Sequence, residues 1–164
     1  MRRPRKPDPS AGEADPRAIR VAALALLAGR EFGRAELARR LVGRGYPADG
    51  VNEVVEALAA ERLLSESRFV EQFVHQHARR GRGVARIRSE LRERGVEAEQ
   101  IEAGLEAAGE DWAAIARDVR RRRFGVSPPS DYRERARQAR FLQYRGFSAD
   151  EIRAALGPGD DPET

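Results

Sequence analysis

Arginine is the residue type in this sequence whose number and spacing suggest a binding function. The 164 residues include 31 basic ones, of which only Lys6 is a lysine, and 27 acidic ones. Residues 79–94 and 117–145 are rich in arginine, whereas residues 97–111 contain six acids and no base. A planar guanidinium binds phosphate and carboxylate groups through paired hydrogen bonds. The alternating blocks predict faces of opposite sign on the folded protein, which fits an interaction surface.

Thirteen arginines and one tyrosine form the candidate surface for contact with nucleic acid or a nucleoprotein. An arginine-rich, alanine-rich chain can also reflect codon composition, and arginines on solvated helix faces or near helix C-termini need no ligand. The clustering, more than any single residue, indicates contact with a polyanion. The candidates are Arg79, Arg80, Arg82, Arg86, Arg88, Arg92, Arg120, Arg121, Arg122, Arg123, Arg133, Arg137, Arg140 and Tyr144.

Residues that could form a catalytic or metal site are scarce. The absence of cysteine excludes disulfides and thiolate sites. The two histidines, His75 and His77, are two residues apart, so on a helix they point in different directions and cannot share a metal as an i, i+4 pair can. No glycine-rich phosphate loop is present. We therefore expect no catalytic residue, no metal and no cofactor.

The hydropathy pattern favours a cytoplasmic protein. The longest apolar run, residues 21–28, is far shorter than the ~20 residues of a membrane-spanning helix. The basic, proline-rich beginning is not directly followed by the apolar segment of a signal peptide. A chain without cysteine also suits a reducing compartment. We expect no membrane partner.

The elements that must position the candidate residues are all predicted to be helices. Strand-like alternation is absent, and strong helix formers dominate. Asp15 before Pro16 predicts a helix start, and Ser148 with Glu151 has the spacing of a capping box. The predicted helices span residues 16–29, 33–44, 47–61, 66–80, 84–94, 97–108, 111–124, 131–145 and 148–156.

A signature of arginine, glycine and an apolar residue recurs with glycines at positions 45, 95 and 146. A period of about fifty residues is typical of repeat proteins. If each glycine is left-handed, the leucine four residues before it and the apolar residue after it occupy the contacting positions of a Schellman motif. The signature would then end the second helix of each unit.

The predicted fold is all-α, with three tandem three-helix repeats at residues 16–64, 65–109 and 110–157. Such short helices bury little apolar surface alone, so we expect the units to stack into an elongated body, curved if stacking adds a twist. Residues 1–15 are predicted to be a disordered basic tail and residues 158–164 a disordered acidic tail, because neither has apolar periodicity.

Three segments resemble the RecX family of bacterial regulatory proteins. The segment LLSESRFVEQFVHQHARRGRGVARIRSELRERGV, at residues 63–96, resembles the central signature of this family. REFGRAELARRLVGRGY at residues 30–46 and RARQARFLQYRGFSADEIRAAL at residues 135–156 resemble its flanking repeats. The likeness covers residues 16–157 in the same order.

The resemblance implies tandem three-helix repeats, in agreement with the fifty-residue period. It also implies a non-catalytic and usually inhibitory regulator of the RecA recombinase, in DNA repair, homologous recombination and the SOS response. Such a protein limits filament assembly, ATP hydrolysis, strand exchange and coprotease activity. The expected partners are RecA, the RecA–DNA filament and, by direct contact, single- or double-stranded DNA. We expect a monomer.

A free-standing DNA-binding protein built from helix-turn-helix-like repeats is the alternative. The third helices of the last two units, EAEQIEAGLE and SADEIRAAL, are acidic or short, and an acidic recognition helix would be repelled by phosphates. The RecA regulator is therefore the preferred interpretation, and an enzyme lacks a site.

Overall fold

The computed structural model describes residues 15–159, and all regular structure in this range is helical. Every predicted helix is present, with bounds within two residues of the prediction. None of the described helices has the length and apolar character needed to cross a membrane. The two predicted tails lie almost wholly outside the described residues. The helices are α1 (Pro16–Leu27), α2 (Arg34–Gly43), α3 (Ala48–Ala60), α4 (Glu66–Arg79), α5 (Val84–Glu93), α6 (Ala98–Ala108), α7 (Trp112–Phe124), α8 (Tyr132–Tyr144) and α9 (Ala149–Leu156).

The two predicted helix starts are confirmed by their hydrogen bonds. The Asp15 carboxylate accepts from the amide of Arg17 at 3.0 Å, with Pro16 at the first helical position. Ser148 and Glu151 form a complete capping box: the Ser148 hydroxyl accepts from the Glu151 amide, and the Glu151 carboxylate accepts from the Ser148 amide. Both devices satisfy amides that have no partner inside the helix.

The repeated signature ends α2, α5 and α8, as predicted. Its three glycines have φ angles of 98°, 83° and 98°, in the left-handed region. In each unit the amide after the glycine donates to the carbonyl of a leucine five residues earlier, as a Schellman motif requires. These bonds run from Tyr46 to Leu41 (3.3 Å), from Val96 to Leu91 (3.1 Å) and from Phe147 to Leu142 (3.2 Å).

Each unit has its own hydrophobic core, which confirms the all-α tandem architecture. In each unit the first helix packs against the third, α1 on α3, α4 on α6 and α7 on α9. The signature leucines Leu41, Leu91 and Leu142 are fully buried, one in each core. Two large apolar side chains lie outside these cores, since Leu24 is 36% exposed and Tyr132, the first residue of α8, is 87% exposed. The exact unit bounds stay a prediction.

The second and third units are joined through their backbones. The amide of Gly83 donates to the carbonyl of Arg145 at 2.8 Å, and the amide of Ala85 donates to that of Gly146 at 3.1 Å. The C-terminal end of α8 therefore lies on the N-terminal end of α5. A Cβ added at Gly83 would lie 2.3 Å from the carbonyl carbon of Gly146, so a side chain has no space there.

The first and second units are joined mainly through side chains. The Arg94 guanidinium lies 3.0 Å from the Glu36 carboxylate, and the Arg68 guanidinium lies 3.0 Å from that of Glu31. The C-terminal end of α5 approaches the start of α2, since a Cβ added at Gly95 would lie 2.8 Å from that of Ala35. The second helices thus follow one another end to end, in the order α8, α5, α2.

Candidate functional site

A groove of about 960 Å³ runs along the second helices of all three units, and we call it the three-unit groove. Its charges are mixed. Four arginines and three glutamates line it, together with Tyr144 at the end of α8. The charged lining residues are Arg39, Arg40, Arg86, Arg94, Glu36, Glu90 and Glu93.

Ion pairs inside the chain neutralise much of the charge in the three-unit groove. Glu36 accepts from Arg94 at 3.0 Å and from Arg30 at 2.7 Å. Glu90 accepts from Arg82 at 2.5 and 2.7 Å and lies 3.4 Å from Arg86. Both carboxylates are largely buried, so these pairs hold the groove walls in place. Such a surface of alternating charge is suited to a protein partner.

A second groove, of about 690 Å³, lies where α7 and α8 meet the end of α4, and we call it the joint groove. Five arginines and two carboxylates, Glu110 and Asp118, give its rim a net positive charge, and its floor is apolar. Four predicted candidates, Arg79, Arg80, Arg122 and Arg123, line it together with a residue the sequence did not single out, Arg145. The floor is formed by Ala78, Ala114, Ile115, Val119 and Phe141.

Four of the predicted candidates form an exposed stripe along α8, which we call the α8 stripe: Arg133, Arg137, Arg140 and Tyr144. Arg133 and Arg140 are exposed and form no ion pair with another described residue. Arg137 donates twice to Glu134 at 3.0 Å, and this hydrogen bonding is the main cause of the lowered pKa of Glu134. Tyr144 is 76% exposed, so one face of its ring is open to a ligand.

Two further candidates are paired within the second unit. Arg82 is held by Glu90, as described above. Arg88 donates to Glu102 at 2.6 and 3.0 Å, and the hydrogen bond from Arg88 is the main cause of the lowered pKa of Glu102. Arg92 and Arg121 are exposed and have no ion-pair partner in the part of the chain that the structure describes. These two remain candidates for contact.

Arg120 does not belong to the candidate surface, which corrects the prediction. It is 5% exposed and lies inside the third unit. Its guanidinium donates to the carbonyls of Val126 and Ser127 at 3.3 and 3.0 Å and to the side-chain oxygen of Gln138 at 3.2 Å. Arg120 therefore fixes the α7–α8 loop against α8. Helical spacing is the signal that could have identified it, because Arg120 lies four residues after Ala116, which is buried on the same face of α7.

Sequence reasoning missed Arg39, Arg40, Arg94 and Arg145, which line the two grooves. Arg94 and Arg145 immediately precede the repeat glycines, at the ends of helices, where an arginine needs no ligand. The repeat gave no signal that two units meet there, because Arg44 has the same repeat position and lines neither groove. Arg39 and Arg40 lie on α2, outside the two arginine-rich blocks at residues 79–94 and 117–145, so the charge blocks gave no signal.

Both histidines make contacts with other residues of the second unit or its border. His77 stacks on Phe73 at 3.7 Å between ring centres, its Nδ1 donates to the Phe73 carbonyl at 2.8 Å, and burial lowers its pKa. His75 lies 2.6 Å from the carboxylate of Glu110. Within residues 15–159 no group of three or more histidine, aspartate or glutamate side chains could hold a metal ion.

The chain matches three family models in succession. They describe the first, second and third three-helix domains of RecX and match residues 20–58, 65–105 and 110–156. The ranges agree with the three hydrophobic cores.

Relatives match over most of the chain. The Regulatory protein RecX of Halorhodospira halophila is 53% identical over 89% of this chain and 91% of its own length. That of Pseudomonas fluorescens strain Pf-5 is 48% identical over 88% and 94%. These relatives are named as regulatory proteins.

Two crystal structures share the fold. One of a regulatory protein RecX covers 85% of this chain and 70% of its own, with a TM-score of 0.69 and 18% identity. Another, of RecX from Lactobacillus salivarius, covers 86% and 94%, with a TM-score of 0.68 and 21% identity. The resemblance predicted from sequence is confirmed by the domain matches and the relatives, and the chain belongs to the RecX family.

Proposed function

We propose that this chain is a non-catalytic, mostly inhibitory regulator of RecA, acting as a monomer in the cytoplasm. It binds RecA and the RecA–DNA filament and thereby limits filament assembly, ATP hydrolysis, strand exchange and coprotease activity. The observation that carries this proposal is the succession of three RecX domain matches, in order, across residues 20–156. The relatives' shared name, which marks them as regulatory proteins, supports it.

The α8 stripe supports direct contact with DNA in the filament. Arg133 and Arg140 are exposed and unpaired among the described residues, so binding a phosphate would break no ion pair. Arg137 is partly neutralised by Glu134 and contributes less. The exposed ring of Tyr144, at the end of the stripe, offers a stacking surface for a base.

The three-unit groove supports contact with RecA subunits. Its charges alternate in sign, and alternating charge selects a complementary protein surface rather than a uniformly negative backbone. Because the groove takes residues from all three units, a partner bound there would contact the whole array. This geometry suits a regulator that must recognise successive subunits of a filament.

A free-standing DNA-binding protein is the second candidate, because the α8 stripe could bind any phosphate backbone. The helix α6 argues against a helix-turn-helix mode, since Glu99, Glu102 and Glu106 lie exposed along it. The two functions differ in their preferred ligand. Tighter binding to naked duplex than to the RecA–DNA filament, with discrimination between base sequences, would support the second candidate.

The test is DNA-dependent ATP hydrolysis by RecA, together with filament length measured by electron microscopy. We expect substoichiometric wild-type protein to suppress both. The double variant Arg133→Glu/Arg140→Glu should lose most of this effect while retaining its helical circular dichroism. The matched control, Arg17→Glu/Arg117→Glu, makes the same charge change at exposed residues that line neither groove. Unchanged hydrolysis and filament length with wild-type protein bound to RecA at saturation would contradict the proposal.

A further inference from the structure

The joint groove carries more positive charge than the chain itself neutralises. Arg122 is paired with Asp118 at 2.7 Å, and Glu110, the other carboxylate of the lining, lies 2.6 Å from His75. Arg79, Arg80 and Arg123 have no carboxylate partner among the described residues. Arg145 is only partly exposed, its Nη2 donates at 3.3 Å to a backbone carbonyl, and its Nε is buried without an acceptor. A cation withdrawn from water without a partner carries a free-energy cost that a bound anion would remove.

The contact between the first and second units differs in charge from the contact between the second and third units. Arg94 and Arg145 occupy the same position of the repeat, immediately before the glycine. Arg94 is neutralised by Glu36, nine residues before the glycine of the first unit. The residue at that position in the second unit is Arg86, so Arg145 has no corresponding carboxylate. At the contact between the second and third units, the carboxylate that would correspond to Glu36 is therefore replaced by a second cation.

The apolar floor of the joint groove favours an acidic protein segment over a nucleic acid as the bound anion. Ile115 and Phe141 are half-buried beneath the arginines, and aliphatic carbon there offers nothing to a phosphate backbone. The Phe141 ring is also a poor platform for a base, because the guanidinium carbons of Arg123 and Arg145 lie 6.0 and 5.7 Å from its centre and its neighbour Phe124 meets it at 90°. An apolar side chain flanked by carboxylates would use both the floor and the rim.

We propose that the joint groove binds an acidic protein segment that inserts one apolar side chain between Arg79, Arg123 and Arg145. A volume of about 690 Å³ is within the range of clefts that bind ligands. This inference goes beyond the proposed function, and its test contains no RecA, so either can fail without the other.

The test measures fluorescence anisotropy of a labelled peptide that has one leucine between two runs of aspartate and glutamate. We expect saturable binding that weakens about tenfold when serine replaces the leucine, because the apolar floor is then unused. Arg79→Glu/Arg123→Glu should weaken binding by at least about tenfold. The neutral variant Arg79→Gln/Arg123→Gln gives the same comparison if charge reversal disturbs folding.

Two controls decide whether the groove, and not net charge, is responsible. The α8-stripe variant Arg133→Glu/Arg140→Glu makes the same charge change outside the groove and should bind the peptide as the wild type does. A single-stranded oligonucleotide of equal charge should compete poorly. Equal binding of the leucine and serine peptides, an equal loss in the α8-stripe variant, or efficient displacement by the oligonucleotide would each overturn the proposal.

Discussion

The amide of Gly83 donates to the carbonyl of Arg145 at 2.8 Å, which places the start of α5 directly on the end of α8. The Arg-Gly signature therefore has two structural roles. It ends the second helix of its own unit, and in the third unit its carbonyls also accept hydrogen bonds from the unit before it. A residue with a side chain at position 83 would separate the two backbones, so the joint depends on glycine.

Gly83→Ala should destabilise the protein by about 1–3 kcal/mol, because its Cβ would lie within 2.5 Å of three backbone atoms of Gly146 and Phe147. Backbone atoms cannot move aside as a flexible side chain can. The measurement is urea unfolding followed by circular dichroism. Gly43→Ala is the matched control: nothing lies within 4 Å of its Cβ, and it should stabilise α2 by about 0.4–1 kcal/mol. Equal stability of the two variants would contradict this account of the joint.

The two joints should respond differently to salt. The joint between the first two units depends on ion pairs such as Arg94–Glu36 and Arg68–Glu31, whose arginine side chains are 40% and 49% exposed, so salt screens the pairs in part. We expect hydrogen exchange at the Arg34 amide, which donates to Glu66 across this joint, to accelerate at ~1 M salt. Exchange at Gly83, whose amide bonds to backbone, should change little. Equal acceleration at both amides would show that the joints open together.

Much of the fold could be predicted because its determinants are local. Asp15 with Pro16, Ser148 with Glu151 and the three Arg-Gly turns each act within a few residues of the chain, and the structure confirms all of them. The fifty-residue period then predicted the grouping into units. The contact between Gly83 and Gly146 is different, since it joins residues far apart in sequence, and no local pattern indicates it.

The candidate surface was less predictable, because a charged residue type does not show where its side chain points. Arg120 and Arg121 are adjacent arginines at the end of α7, yet the first is buried and the second exposed. Similarly, Arg82 and Arg88 are paired with carboxylates, whereas Arg92 has no such partner within residues 15–159. The density of arginines in the sequence predicted which helices carry the candidate surface. The packing in the structure then shows which of these arginines are buried or paired and which are exposed to a ligand.

Glu66 should give the first joint a measurable pH dependence. Its carboxylate accepts from the Arg34 amide at 3.3 Å and so caps α2, whose N-cap residue is a glycine. Burial raises the pKa of Glu66, so the folded state holds this proton more tightly than the unfolded state does. Stability from this group is therefore lost as pH rises from the ordinary carboxyl pKa through the higher folded pKa. Glu66→Gln cannot titrate, so its stability relative to wild type should increase across that window.

Urea unfolding of Glu66→Gln and wild type on both sides of the window measures this difference. Glu61→Gln is a control of opposite sign, because a hydrogen bond from Arg20 lowers the pKa of Glu61. Stability from Glu61 is present above its unfolded pKa and is lost as pH falls through the lower folded value. Relative to wild type, Glu61→Gln should therefore become less stable as pH rises. A pH-independent difference for Glu66→Gln would refute the assignment.

Arg120→Ala should destabilise the third unit by about 2–4 kcal/mol, whereas Arg121→Ala, one residue away and exposed, should change stability by less than about 0.5 kcal/mol. The first substitution leaves the carbonyls of Val126 and Ser127 without a donor and opens a cavity beside Gln138. Limited proteolysis should then cut the α7–α8 loop of Arg120→Ala faster than that of Arg121→Ala. Because α8 carries Arg133 and Arg140, Arg120→Ala should also weaken DNA binding without removing any residue of the α8 stripe. Equal proteolysis of the two variants would show that Arg120 does not hold the loop.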